Sequence, residues 1–410
     1  MSREHSVRST NRPYLYPVDA LRALAAMLVV LYHSTQLVSA RIAHPGRNFS
    51  LSDWPYSRNP LKTLVYEGHT GVALFMVLSG FIFTNGTLGR HIQYRAFLVN
   101  RLLRIYPLYL ILVVLALSLA PRSFTLSALI QTVLPLASFG GPLVVGGAWG
   151  AMFWAVSVEF QFYLIFPLLL SLLNRFGPSV LVRMIAAFAV LRVLAVVGTP
   201  TLNINNLFYF SIIGRIDQFL FGMLIAWVYM RHRSLLGIPV LVLSSVSALA
   251  MLWAFNQLHG YTHPAAWRAV WTDVEGAVWA LFVGSFTHVF THRRGLVMRA
   301  SAAVGTTSFS IYLLHFVVVS RIASTSGWPL HWAGPVSSAF LTGVLLVVPV
   351  VLAVAFITYQ SIERPFLALR LRYLDPADRH PLDPPVEPTD PFLPAAETAP
   401  ARTVALGSAP

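Results

Sequence analysis

The sequence reads VSSAFLTGVLLVVPVVLAVAFITYQ at residues 336–360, a run of 25 residues without Asp, Glu, Lys or Arg. A helix rises about 1.5 Å per residue, so this run is long enough to cross the roughly 30 Å hydrocarbon core of a bilayer. Similar runs recur along the chain, of which 56% of the 410 residues are hydrophobic and 11% are charged. Soluble globular domains are roughly 25% charged. The sequence therefore predicts an all-α, polytopic membrane helix bundle.

The apolar runs predict about ten membrane-spanning helices. They cover residues 19–38, 70–87, 103–120, 150–173, 179–198, 208–230, 236–256, 270–290, 304–322 and 336–360. A shorter apolar segment at 126–139 has a length typical of a re-entrant or interfacial segment. If that segment does not cross, most loop arginines fall on one side, which the positive-inside rule makes the cytoplasmic side. We therefore predict a multi-pass protein with both termini cytoplasmic.

The composition divides the chain into three segments. Residues 1–17 are predicted to be a cytoplasmic N-terminal tail and residues 18–372 the membrane domain. From Asp375 to the end, nine prolines and six acidic residues occur among 36. Such a segment cannot bury enough apolar surface to fold. Residues 373–410 are therefore predicted to be a disordered, Pro-rich, acidic cytoplasmic tail.

The charge and the missing cysteines exclude several function classes. The formal net charge is +14, but the basic residues lie between apolar runs and do not form the basic patch with interleaved aromatics that nucleic-acid binding needs. The chain has no cysteine, so it has no thiolate nucleophile and no Cys-ligated zinc. We expect no nucleic-acid partner, no metal site and no tightly bound cofactor. The expected partners include the lipid bilayer.

The first predicted helix carries two ionisable residues. Arg22 and His33 are eleven residues apart, which at about 100° per residue places them within about 20° of each other on one helix face. A charge inside the hydrocarbon costs at least about 2.5–3.5 kcal/mol, so such residues are candidates for a functional site. The alternative is structural, with Arg22 satisfied by Asp19 at the membrane edge and His33 hydrogen-bonded to a neighbouring helix.

Glu159 lies inside the predicted span 150–173. Counting residues inward from opposite sides places Glu159 and His33 at similar depths, within the error of the span boundaries. A neutral histidine oriented by a carboxylate is a usable general base for a hydroxyl group. The alternative is a buried Glu–His or Glu–Arg pair that fixes helix packing.

Other polar residues mark the remaining helices. Arg101 and Arg104 lie three residues apart on one face, where they can clamp phosphates or anchor the helix at the cytoplasmic surface. Arg215 and Asp217 point to different sides and so need partners on other helices, as a site wall or as packing contacts. A lone mid-span histidine such as His315 more often packs than reacts.

A second group of polar residues receives no functional role from the sequence. Glu363-Arg364-Pro365 is predicted to end the last helix, with its charges in water. No role is predicted for five residues in or near loops, Asp53, Glu67, His69, Asp273 and Glu275.

These features together resemble the acyltransferase family 3 membrane proteins, which O-acylate bacterial surface polysaccharides, O-antigen, nodulation factors and macrolides. Seven motifs in register carry the resemblance. They are residues 19–22 (DALR) with His33, 71–81 (GVALFMVLSGF), 101–107 (RLLRIYP), 154–164 (WAVSVEFQFYL), 215–217 (RID) with Gly222, 312–315 (YLLH) and 362–366 (IERPF). The chain matches the stand-alone form, without a hydrolase-like domain.

The resemblance implies transfer of an acyl group, usually acetyl, from cytoplasmic acyl-CoA as co-substrate to a hydroxyl of a carbohydrate or glycolipid acceptor. It implies location in the bacterial inner membrane. His33 would be catalytic with Glu159 supporting it, Arg101 and Arg104 would hold the coenzyme A phosphates, and Arg22 would line the path. The resemblance places further residues in substrate binding, namely Asp19, Ser157, Tyr163, Arg215, Asp217 and His315.

Two other classes remain open at this point. A glycolipid or polysaccharide-precursor transporter also uses buried Arg, His, Glu and Asp, although no pair of broken helices marks matching halves of the chain. A catalytically inactive scaffold would tolerate the loss of His33. Contacts to the acceptor are expected from the outer loops at 41–69 and 257–269, where aromatic side chains can stack on sugars. The candidates are Trp54, Tyr56, Trp267 and Trp271.

Overall fold

A computed structural model of the chain describes residues 14–47, 49–135, 145–199, 203–263, 265–325, 327 and 329–374. These residues form helices joined by short loops. The helices are α1 (Tyr16–Ala43), α2 (Pro60–Tyr66), α3 (Gly71–Thr87), α4 (Tyr94–Leu119), α5 (Leu126–Val133), α6 (Phe153–Phe176), α7 (Ser179–Gly198), α8 (Ile204–Phe210), α9 (Ile212–Arg231), α10 (Ile238–Gln257), α11 (Arg268–Phe290), α12 (Leu296–Thr306), α13 (Ser308–Ser324), α14 (Pro335–Thr342), α15 (Val348–Thr358) and α16 (Arg364–Leu367). Over the described ranges no β-strand is present, so the all-α prediction is confirmed.

Each predicted span falls on a helix, but not every one is long and apolar enough to cross a membrane. Eight helices of the described chain meet that criterion, and the bent pair α12–α13 adds a ninth. These eight or nine helices are consistent with the predicted bundle of about ten spans, with one predicted span falling short of the criterion. The difference is the span 270–290, which lies on α11 and includes Asp273 and Glu275. These carboxylates form ion pairs inside the protein with arginines of neighbouring helices.

Two helices depart from simple rods. The helices α12 and α13 meet at Thr307 with a bend of 69°. The last span is one long helix from Pro335 to Leu367, in which π-helical segments at Gly343–Val347 and Tyr359–Glu363 join α14, α15 and α16. As a result, the chain remains helical past the point where Pro365 was predicted to end it. A proline near a helical start is tolerated, and Pro365 is the second residue of α16.

The segment predicted to be re-entrant or interfacial is only partly described. Its first part forms α5, which has eight residues and so extends about 12 Å, too short to cross a bilayer. The part from residue 136 onward lies outside the described residues. The predicted tails lie largely outside them as well, at 1–13 and 375–410. Tyr373 and Leu374, however, are buried against the helical body, so that body extends two residues beyond the predicted boundary.

The helix α1 lies at the centre of the bundle, where it contacts α3, α12, α13 and α14. Glycines bring its neighbours to backbone contact. A Cβ atom on Gly71 would lie 2.4 Å from the carbonyl oxygen of Ala25, and one on Gly305 would lie 1.8 Å from that of Asp19. Because no side chain fits at these points, α1 is fixed in position along its length. This packing fixes the positions of Arg22 and His33.

A second pair of glycines joins α3 to α9, the most extensive helix contact in the protein. A Cβ atom on Gly222 would lie 2.1 Å from the carbonyl oxygen of Val77, and one on Gly80 would lie 2.1 Å from that of Phe219. The two backbones therefore touch, which larger residues prevent.

We expect Gly222→Val to destabilise the protein by about 1–3 kcal/mol, because its side chain overpacks the α3–α9 contact. The midpoint of thermal unfolding in detergent should fall accordingly. Gly198→Val is the matched control, since no atom lies within 4 Å of the Cβ position at Gly198. Equal midpoints for the two variants would contradict the close contact.

Candidate active site

A cavity of about 770 Å³ opens between α1, α3, α4, α6, α13 and α15. Ligand sites for small molecules and cofactors span about 300–1,000 Å³. Polar side chains line this cavity together with apolar ones. The polar residues used below are Arg22, Ser79, Arg101, Glu159, Tyr163 and Tyr312. Six of the predicted site residues, from α1, α4 and α6, thus come together around one space, namely Asp19, Arg22, Arg101, Arg104, Glu159 and Tyr163.

On α1, Arg22 and His33 occupy different compartments. Arg22 lines the cavity and donates a hydrogen bond of 3.2 Å to Asp19, which also lines the cavity. His33 lies about 16 Å further along the helix and is not among the cavity residues. Arg22 and His33 therefore lie on the same face of α1, but only Arg22 lines the cavity.

Arg101 is a buried cation without an anionic partner. Only 5% of the residue is exposed, and its buried Nε atom has no hydrogen-bond partner among the described residues. It lies instead over aromatic rings, 4.7 Å from the centroid of Phe83 and 5.8 Å from that of Tyr163. A buried charge is stabilised by a counter-ion. Arg101 is therefore positioned to bind an anionic group that enters the cavity.

Arg104, by contrast, is already paired. Its guanidinium donates a 2.6 Å hydrogen bond to Glu363, which is buried and also accepts a hydrogen bond from Ser310. The prediction that the Glu363 charge lies in water is therefore wrong. The π-helical segment before α16 carries Glu363 into the bundle, where Arg104 compensates it. The charge of Arg104 is therefore already paired with Glu363, whereas that of Arg101 remains available for a ligand.

Glu159 lies in the wall of the cavity beside Ser79 and Tyr163. Its Oε1 atom accepts hydrogen bonds of 3.0 Å from the Ser79 hydroxyl and 2.5 Å from the Tyr163 hydroxyl. Among the described residues it makes no hydrogen bond to His33, so the predicted direct contact between these two side chains is absent. Similar depth in the bilayer does not fix the direction in which a side chain points. Glu159 faces the cavity, beside Ser79 and Tyr163, and not the histidine.

His33 is instead paired with His315. The Nδ1 atom of His33 lies 3.1 Å from Nε2 of His315, and also 3.1 Å from the carbonyl oxygen of Val29. The Nδ1 atom of His315 lies 2.7 Å from the carbonyl oxygen of Tyr312. His315 is fully buried, whereas His33 is partly exposed.

These contacts determine where the protons lie in the neutral pair. A carbonyl oxygen only accepts, so Nδ1 of each histidine carries the hydrogen. Nε2 of His315 is then the acceptor for Nδ1–H of His33. A neutral imidazole has one donor and one acceptor nitrogen. Nε2 of His33 is therefore unprotonated and free to accept a proton, as a general base requires.

The remaining predicted site residues lie away from the cavity. Ser157 is buried and donates to the carbonyl oxygen of Phe153 within α6. Arg215 pairs with Glu275 at 3.4 Å, and Asp217 accepts a 3.1 Å hydrogen bond from Arg192. Arg215 and Asp217 thus have partners on α11 and α7, as their spacing on α9 requires. Their contacts connect helices and do not line the cavity.

A polar cluster that the sequence did not predict surrounds Glu67. This buried carboxylate accepts hydrogen bonds from the Trp54 indole at 3.0 Å and from Asn256 at 2.6 Å, and contacts His69 at 3.1 Å. Glu67 and His69 were predicted to lie in or near loops. The local sequence there does not show that their side chains are buried. The sequence feature that could have indicated a contact between them is their spacing, with one glycine between the two residues.

The aromatic residues of the outer loops are mostly engaged in packing. Trp54 is 5% exposed and stacks on Tyr261, with ring centroids 4.6 Å apart. Trp267 and Trp271 contact each other at 5.1 Å. Only Tyr56 presents a large exposed surface. The three tryptophans predicted to stack on sugars therefore contact protein rings. Burial also raises the pKa of the Tyr261 hydroxyl, which favours its protonated form.

The fold and the site together define an integral membrane protein with an arginine-lined cavity beside a histidine pair. Residues 15–360 match the family described as an acyltransferase domain, acyltransferase family 3. The match covers most of the chain, and the chain belongs to this family. The predicted resemblance is thereby confirmed. No solved structure matches the chain at a significant level.

Three relatives illustrate the range of the family. The chain is 26% identical over 405 residues to Nodulation protein 10 of Rhizobium leguminosarum bv. viciae. This alignment covers 90% of this chain and 96% of that protein. It is 23% identical over 349 residues to the Peptidoglycan O-acetyltransferase OatA of Listeria monocytogenes, covering 76% of this chain and 50% of that protein. The O-acetyltransferase OatA of Staphylococcus aureus is 22% identical over 342 residues, covering 76% of this chain and 51% of that protein. The chain thus spans about half the length of the two O-acetyltransferases.

Proposed function

We propose that this protein transfers an acyl group, most commonly acetyl, from acyl-CoA to a hydroxyl of a carbohydrate-containing acceptor such as a surface polysaccharide, O-antigen or glycolipid. The observation that carries the proposal is the buried guanidinium of Arg101, whose Nε atom has no described partner, in a cavity whose wall residue Tyr312 contacts the histidine pair. Relatives named as O-acetyltransferases support acetyl as the group and a polysaccharide as the acceptor class.

In this proposal the donor enters the cavity from the side that carries the arginines. The positive-inside rule favours that side as the cytoplasmic one, and the proposed location is the bacterial inner membrane with both termini in the cytoplasm. Arg101 binds a phosphate group of coenzyme A, since guanidinium and phosphate form strong charge-assisted hydrogen bonds. Arg22 lines the path beside Asp19. Both recorded hydrogen bonds of Glu159 go to Oε1, so among the described residues Oε2 remains to accept a hydrogen bond from an amide of the pantetheine arm.

The slender pantetheine arm then carries the thioester toward His33. Nε2 of His33 takes the proton of the acceptor hydroxyl, and the oxygen attacks the thioester carbonyl. The new carbon–oxygen bond replaces the carbon–sulfur bond, and the proton passes from His33 to the departing coenzyme A thiolate. A route through an acyl-histidine uses the same residue and the same leaving group. His315 holds His33 in the required tautomer and is a positioning residue.

The direct test is acyl transfer by the purified protein in lipid nanodiscs. Acetyl-CoA is supplied with chitotetraose or with glycan fragments of peptidoglycan as acceptors. A thiol reagent then reports free coenzyme A against no protein background, because the chain has no cysteine. We expect coenzyme A release only with an acceptor present, together with an acetylated glycan in the mass spectrum.

The same assay distinguishes donor binding by Arg101. Arg101→Met should raise the KM for acetyl-CoA about 10–100-fold, as expected for the loss of one hydrogen bond to a charged group. The reaction with acetyl-pantetheine, which lacks phosphates, should be unchanged. Arg183→Met is the matched control, because Arg183 is exposed on α7 outside the cavity. A wild-type protein that moves glycolipid but releases no coenzyme A with any acceptor would favour the transporter instead.

A further inference from the structure

The hydroxyl of Tyr312 has no partner in the described part of the chain. The residue is 7% exposed and lines the cavity, and its hydroxyl oxygen is buried without a hydrogen bond. A buried polar group left unsatisfied costs about 1–3 kcal/mol. Such a group points to a ligand that satisfies it.

Tyr312 also lies on a polar stripe that connects the cavity to the histidine pair. Ser308, Tyr312 and His315 follow one another on α13 at intervals of four and three residues, which places them on one helix face. Ser308 lines the cavity and its hydroxyl is also buried without a described partner. The ring of Tyr312 lies 5.8 Å from the ring of His315, and His315 contacts His33.

The other cavity wall positions this ring. Phe75 of α3 contacts Tyr312 edge to face, with centroids 6.0 Å apart. The comparable hydroxyl on α6, that of Tyr163, is already committed to Glu159. Among the described tyrosines that line the cavity, Tyr312 is the one whose ring contacts the histidine pair and whose hydroxyl has no described partner.

We infer that Tyr312 is a further catalytic residue, whose hydroxyl donates a hydrogen bond to the thioester carbonyl oxygen. The inference rests on the proposed acyl transfer. When the acceptor oxygen attacks, the carbonyl oxygen gains negative charge, and a donor positioned in advance stabilises it. When the carbon–sulfur bond breaks, that charge returns to the carbonyl bond. Tyr312 keeps its proton throughout, and His33 alone transfers the proton of the hydroxyl to the thiolate.

The first test is Tyr312→Phe, which removes the hydroxyl and retains the ring. We expect kcat to fall about 100-fold, the effect of losing one oxyanion donor, with the KM for acetyl-CoA within threefold. The midpoint of thermal unfolding should be equal to or above that of the wild type, because the lost hydroxyl had no partner. A purely structural hydroxyl would give the opposite, a lower midpoint and an unchanged kcat.

Tyr109→Phe is the matched control. Its buried hydroxyl donates a 2.7 Å hydrogen bond to the carbonyl oxygen of Thr132 and lies outside the cavity. This variant should therefore lose thermal stability and keep its kcat within twofold. A kcat of Tyr312→Phe within threefold of the wild type would overturn the inference.

Infrared spectroscopy of bound acetyl-CoA provides a readout besides turnover. With carbon-13 in the acetyl carbonyl and no acceptor present, the carbonyl band should lie at lower wavenumber in the wild type than in Tyr312→Phe. Equal band positions would overturn the role of Tyr312 and leave the proposed function standing. If the wild type shows no band of bound donor, acetyl-CoA is not the substrate, and both proposals fall together.

Discussion

Replacing His33 by alanine should lower kcat about 10²–10⁴-fold, the range for the loss of a positioned general base. Nε2 of His33 is the nitrogen of the histidine pair that has no proton and no partner among the described residues. The affinity for acetyl-CoA should stay within threefold, since the cavity residues are retained. Turnover by release of coenzyme A and donor binding by calorimetry measure the two quantities separately.

The control for His33 is another histidine associated with the same helix. His44 follows α1 directly, and its side chain is 52% exposed beside Asp53. His44→Ala should keep wild-type turnover. A His33→Ala protein that retains a tenth of the wild-type kcat would show that the base lies elsewhere. Loss of donor affinity in the same variant would instead assign His33 to binding.

The second large effect is expected at His315. His315→Leu should lower kcat about 10³-fold, because His33 loses the acceptor that keeps its Nδ1 protonated and its Nε2 free. His315→Gln retains an acceptor oxygen near the position of Nε2, and its kcat should lie within tenfold of the wild type. The KM for acetyl-CoA should change little in either variant.

This pair of variants separates a positioning role from a packing role. His315 is fully buried, so a packing role favours the apolar leucine and disfavours glutamine. The tautomer argument gives the reverse order of activity. A kcat of His315→Leu equal to or above that of His315→Gln would refute the tautomer argument, provided that both variants elute as monodisperse species.

The sequence was sufficient for the architecture because the apolar runs have the length of a bilayer. The face shared by Arg22 and His33 also followed from helix periodicity alone. The position of Glu159 was predicted only by depth, and its contacts with Ser79 and Tyr163 depend on how α6 is rotated against α3. Rotation about a helix axis results from packing between elements, which spacing within one element does not contain.

Glu363 shows the same limit in a different way. A glutamate before Arg-Pro is typical of a helix end in water, but the π-helical segment Tyr359–Glu363 continues the helix and carries this carboxylate to Arg104. The cluster of Glu67, His69 and Asn256 was missed because its members come from α2, the turn after it and α10. Residues about 190 positions apart share no local pattern. The contact between His33 and His315 has the same long-range origin.

The backbone contact at Gly80 and Gly222 has a consequence for how material crosses this bundle. Transporters alternate access by rocking one group of helices against another, and such rocking shears the helix interface. Each glycine lies directly against a backbone carbonyl of the other helix, so no side chains separate the two backbones and allow them to slide. A rigid contact of this kind fits the function proposed above, in which only the acyl group passes between two large reactants that stay on their own sides of the bundle.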